Sequence, residues 1–176
     1  MRATKNVCYT ALAVALICVC SWIAVPLGSV PVTLQSLAVF LSASLLGVKR
    51  SFFAIVSYMV LGFMGIPVFA GFTGGIAKLL TPTGGYLLGF LLITPLTAWM
   101  LEGKKHRFWY RMLIFSLATL ILYVCGVLWL VLIVENTAKI GVWSAFLLCV
   151  VPYILPDICK MILASTISQK LQDKIQ

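Results

Sequence analysis

Near the C-terminus, Pro156-Asp157-Ile158-Cys159-Lys160 places one acid and one ammonium three residues apart inside an apolar stretch. On a helix that spacing puts both side chains on one face. Ionisable groups in a membrane span are expensive, which makes this pair the first candidate for ligand contact. The plainer reading is that Asp157 caps the positive end of a helix and Lys160 pairs with it. Chemically, the carboxylate can accept two N–H groups, while the ammonium can donate to a carbonyl or neutralise a carboxylate. Gln35 adds an amide that both donates and accepts, and Tyr86 adds a ring with an orienting hydroxyl. Gly74, Gly75, Gly84 and Gly85 would let backbone approach a ligand closely. Gly85-x-x-x-Gly89 also fits close helix packing, which is the favoured reading for Gly89. The set suits a small ligand bearing hydrogen-bond donors and an acceptor or anion.

The elements that must position these residues are membrane spans. The 176 residues are 62% hydrophobic and 10% charged, with a mean hydropathy of +1.13, outside the range of a soluble globule. One polytopic membrane domain is expected over 1–176, all-α, with six spans near 7–25, 32–48, 52–67, 84–101, 109–134 and 155–171. Between the third and fourth runs, the 29 residues from Gly62 to Phe90 hold eight of the thirteen glycines and two prolines. Irregular backbone at membrane depth is tolerated only inside protein or along a cavity, so this interruption points to a pocket. Pro152 and Pro156 break the last segment, predicting a short helix to about Ile154 and a span from Pro156. The N-terminal run follows Arg2 and Lys5 like a signal peptide but lacks a small-residue cleavage site, and reads as a retained first helix.

The net charge of +9 does not form a nucleic-acid stripe; the cations fall in clusters between apolar runs. Six crossings place Arg2, Lys5, Lys49, Arg50, Lys104, Lys105, Arg107, Arg111, Lys170 and Lys174 on one side, and Lys78 and Lys139 on the other. Both termini are therefore expected in the cytoplasm of a multi-pass plasma-membrane protein. Trp22, Trp129 and Trp143 would mark the outer interface, and Trp99 and Trp109 the inner one. Cys8, Cys18, Cys20, Cys125, Cys149 and Cys159 read as small apolar residues rather than disulfides or metal ligands. The chain has no phosphate-binding loop, and His106, its one histidine, sits in a basic loop. Nothing pairs a nucleophile with a base, so no catalytic residue, metal or cofactor is expected.

PVTLQ (31–35), GIPVFAGFTGG (65–75), TPTGGYLLGF (81–90) and PDICK (156–160), in this order across the spans, closely resemble the BioY family. These are the biotin-binding S components of energy-coupling factor (ECF) transporters. The resemblance implies a six-helix S-component fold with a ligand pocket near the extracellular face, capped by the loops after helices 1 and 3. It implies biotin as ligand, held by Gln35, Phe69, Gly74, Gly75, Gly84, Gly85, Tyr86, Asp157 and Lys160. It also implies a transmembrane coupling subunit, docked on Ala11 and Ala15 of an A-x-x-x-A face, and two ATPase subunits, with lipid around the whole. Alternatively, a solitary chain would self-associate. Spacing alone favours an intramolecular partner for Ala11 and Ala15. Phe72 stands where family members often carry glycine. An S component for thiamine or riboflavin, or a small intramembrane enzyme, remain the alternatives.

Overall fold

Long apolar runs satisfy their backbone polar groups internally as helices, and helices make up most of this chain. The computed structural model describes residues 2–26, 30–102, 107–134 and 142–175, without the side chains of 2, 3, 133, 134, 142, 145, 148, 149 and 173–175. Lys104, Lys105, His106 and Lys139 lie outside the described residues, as do the side chains of Arg2, Cys149 and Lys174. Helices run over Arg2–Trp22 (α1), Gln35–Phe63 (α2), Gly84–Met100 (α3), Phe108–Trp129 (α4), Val142–Cys149 (α5) and Ile154–Ile175 (α6). A 3₁₀ turn, Ile76–Leu80, precedes α3; a π turn, Leu130–Val134, extends α4; and a second 3₁₀ turn, Val151–Tyr153, leads into α6.

Among the described residues, four helical stretches are long and apolar enough to cross a bilayer: Thr4–Trp22, Gln35–Phe63, Phe108–Leu132 and Val151–Gln172. α3 is apolar but shorter. α2 is longer than a span requires because it doubles back. Gly47, at φ 73° and ψ 173°, occupies a region open essentially to glycine alone, and helix continues on either side. Leu34, before the first limb, donates its N–H to Ile23 C=O at the end of α1. Beyond the second limb, Val68 C=O accepts Ser21 Oγ–H and Pro67 C=O accepts Trp22 Nε1–H, again at the end of α1. At the turn itself, Arg50 lies 3.5 Å from Asn6 near the start of α1. The sequence pattern places a VKRS connection here, whereas Lys49, Arg50 and Ser51 are already helical and one glycine makes the reversal.

The first loop contains a short ribbon absent from an all-helical reading. Ala24–Val25 (β1) pairs antiparallel with Val32–Thr33 (β2). Helix contacts are set by small residues: a Cβ on Gly85 would lie 2.3 Å from Trp129 Cβ and 2.6 Å from Cys125 O, so α3 and α4 touch at backbone distance. Elsewhere in the core Phe40 stacks on Phe115 at 4.6 Å between centroids, with Ile17, Ile55 and Ile93 fully buried. Buried hydroxyls of Ser42, Ser44, Thr94 and Thr119 bond back to carbonyls one turn earlier, which satisfies them inside the apolar core. Arg111, counted among the loop cations, is instead buried and donates to Ser168 and Gln172, tying α4 to α6.

Candidate functional site

A cavity of about 70 Å³ lies at the end of the bundle where α2 and α6 begin, walled by the first loop, the loop carrying Phe69 and Ala70, α3 and Leu122 of α4. Helix ends supply polar groups there: Pro156 and Asp157 occupy the first turn of α6, where an acid complements the helix dipole. Asp157 is only 8% exposed. Lys160 Nζ donates to Asp157 Oδ1 at 2.7 Å, and the Tyr123 hydroxyl donates to Oδ2 at 2.7 Å. Lys160 is 6% exposed. Each carboxylate oxygen therefore already holds one donor and keeps a second lone pair for another.

Across the cavity, Gln35 is 4% exposed and its Nε2 has no hydrogen-bond partner among the described residues. A buried amide donor left unsatisfied costs free energy, so an acceptor reaching Nε2 is favoured. Phe69, Leu87, Phe90 and Leu122 supply apolar wall, and Tyr86 stands 6.4 Å from Tyr153, ring to ring. Tyr153 itself lines the cavity and donates its hydroxyl to Val30 C=O, closing the first loop over that side. The arrangement can hold a small molecule by donors and acceptors at one end and by rings along its body. Among the described residues no cluster could hold a metal ion.

Of the candidates, Gln35, Phe69, Tyr86, Asp157 and Lys160 are brought to this cavity. Gly74, Gly75, Gly84 and Gly85 are not among its lining residues. A Cβ on Gly74 would meet Ile66 O at 2.5 Å, and one on Gly84 would meet Leu79 O at 2.3 Å, so both seat backbone on backbone. Gly75, at φ 95°, donates its N–H to Gly62 C=O and shapes the turn. Phe72 neither fills the cavity nor stands free: at φ 55° it stacks on Trp22 with centroids 5.1 Å apart, pinning the outside of the loop whose inner side carries Phe69 and Ala70. Ala11 and Ala15 are exposed on α1, and Ala11 borders a surface groove with Val14, Phe53 and Leu61. Tyr123 and Tyr153, outside the sequence motifs, also belong to the site; Lys78 lines it as well. A hydroxylated ring inside the apolar α4 was the only signal for Tyr123.

This fold is that of an S component. A solved structure described as the S-component for biotin from an ECF-type ABC transporter superposes with a TM-score of 0.87, covering 98% of this chain and 93% of that one at 24% identity. With its apolar helices, the chain is a multi-pass membrane protein of that architecture. Its relatives narrow the class. The chain is 44% identical over 167 residues to the biotin transporter BioY2 of Lactococcus lactis subsp. cremoris, covering 94% of this chain and 90% of the relative. It is 42% identical over 159 residues to the biotin transporter BioY of Thermotoga maritima, covering 90% of each. A probable biotin transporter BioY of Pyrococcus horikoshii is 43% identical over 168 residues, 96% of each chain. The BioY family model matches residues 1–176, and the chain belongs to the BioY family.

Proposed function

We propose that this chain captures biotin and delivers it across the plasma membrane as the S component of an ECF-type transporter. The carrying observation is the Asp157 carboxylate, held by Lys160 and Tyr123 and facing the unpartnered Gln35 amide across an aromatic cavity. Biotin matches that set. Its ureido ring offers two N–H donors to a carboxylate with free lone pairs, and its carbonyl accepts from Gln35 Nε2 or Lys160. Its fused ring and chain lie against Phe69, Tyr86 and Phe90. Capture needs no bond to break, and transport is driven by partner ATPases through a coupling subunit; the chain is not an enzyme.

The reading places the pocket outward and both termini in the cytoplasm of a bacterial plasma membrane, with six crossings. It is supported by the cation asymmetry and by the reversal at Gly47, which divides α2 into two limbs. Ala11 and Ala15 let the coupling subunit's helices approach α1, because small side chains permit close backbone contact. Gly74, Gly75, Gly84 and Gly85 serve the site by shaping its loop and helix ends. Titration of the purified chain with biotin, thiamine and riboflavin, followed by tryptophan fluorescence, tests the assignment. Saturable binding of biotin alone is expected; binding of another vitamin in its place overturns it.

A further inference from the structure

Among the described residues, three charged side chains line the cavity, and two of them neutralise each other. Lys160 and Asp157 form a buried pair at 2.7 Å, so Lys160 has its counter-ion within the protein. The third is Lys78, on the 3₁₀ turn Ile76–Leu80, half-buried at the cavity wall. Its ammonium makes no hydrogen bond or ion pair among the described residues, and Asp157 is the one acid lining the cavity. The chain has four acids in all: Glu102 lies beside Gly47 at the far end of the bundle, Glu135 is outside the described residues, and the Asp173 side chain is not described. Among the described residues, charge in the cavity therefore sums to plus one, and a neutral ligand would leave it unbalanced.

The base of Lys78 is well fixed. Its N–H donates to Gly75 C=O at 3.2 Å, and its own C=O accepts the Thr81 N–H and hydroxyl at 3.3 and 2.7 Å. The next carbonyl, Leu79, accepts Trp129 Nε1–H at 2.8 Å, which ties the turn to α4. A compact ammonium on a flexible stem, anchored this way, suits a single carboxylate and needs little reordering of the loop.

We propose that Lys78 recognises the ligand's carboxylate, while Asp157, Lys160 and Gln35 hold the uncharged polar ring at the buried end. This rests on the biotin reading above and divides its ligand between the two cations. It predicts that the pocket selects for an anionic tail and that Lys78 makes that selection.

The test is titration of the full-length chain, in nanodiscs, with biotin and with biotin amide, whose tail carries no charge. Wild type should prefer biotin by roughly tenfold, the scale of one charge-assisted contact in a partly hydrated site. Lys78→Gln should abolish that preference by weakening biotin about tenfold while leaving the amide unchanged. Lys78→Arg should keep the preference, and it also controls for misfolding of the Gln variant. Equal wild-type affinities, unchanged biotin affinity in Lys78→Gln, or equal weakening of both compounds would each overturn the proposal. Unchanged affinity would leave Lys78 as an outer-side orientation cation only. A wild-type chain that binds neither compound overturns the biotin reading itself, and this assignment with it.

Discussion

Converting Asp157 to Asn keeps the shape of the side chain and removes one charge. Two effects follow, and they can be separated. Lys160, 6% exposed, loses the carboxylate 2.7 Å away and is left as a buried cation beside an amide. Breaking one side of a buried pair costs about 3–5 kcal/mol of stability. Ligand recognition loses a charge-assisted acceptor for the ureido N–H groups, about 1.5–3 kcal/mol, or roughly ten- to 150-fold in affinity. A second variant, Asp157→Leu with Lys160→Met, removes both charges together. Replacing a buried pair by apolar side chains is often neutral or stabilising, so this double variant should unfold at or above the wild-type temperature. It should still bind no biotin. The assays are thermal unfolding in detergent and isothermal titration calorimetry on the same preparations. If the double variant bound biotin normally, the pair would be structural; if Asp157→Asn lost neither stability nor affinity, the reasoning from burial would fail.

Three further substitutions probe the surroundings of that pair. Tyr123→Phe removes the hydroxyl that donates to Asp157 Oδ2, and should weaken biotin about tenfold in wild type but not in an Asp157→Asn background, a coupling measured by a double-mutant cycle. Gly85→Ala would drive a methyl against Trp129 Cβ and the Cys125 carbonyl, parting α3 from α4, at a cost of about 1–3 kcal/mol read as a lower unfolding temperature. Phe72→Gly relieves a left-handed backbone by about 1–2 kcal/mol and gives up a ring stack of about 0.5–1.5 kcal/mol. Stability should hardly change, while biotin dissociation measured by stopped flow should quicken as the loop is released.

The helical character of the apolar runs and the acid–ammonium pair were legible in the sequence because both rest on local rules. Apolar runs must become helices in lipid, and charges inside such runs are rare enough to stand out, as Asp157 and Lys160 do. Proline spacing predicted a break in the last segment near 154–156, whereas the structure breaks it earlier, between Cys149 and Val151, and the turn Val151–Tyr153 runs directly into α6. Contacts across the bundle were not legible. Tyr123 is 34 residues from Asp157, and nothing local distinguishes it from a lipid-facing tyrosine. Arg111 counts as a loop cation by position, yet long-range bonds to Ser168 and Gln172 bury it. The reversal within α2 depends on one dihedral at Gly47, whereas composition pointed to the charged residues beside it.

The glycines show why packing and binding cannot be assigned to different residues by type alone. Close approach to a ligand and close approach of two helices make the same demand on a side chain, and the sequence left both open for Gly84 and Gly85. A Cβ at either would strike Leu79 or Trp129, so these glycines bring α3 against α4 and the preceding turn. A Cβ on Gly126 of α4 would likewise lie 2.7 Å from the Tyr86 ring, and that ring lines the cavity. The absent side chains on both helices thus set how near Tyr86 of α3 stands to Tyr123 of α4, and through Tyr123 to Asp157. Helix contact and ligand geometry are coupled at this interface. A packing change confined to it should alter affinity as well as stability, unlike one at the Arg111 end of the same helices.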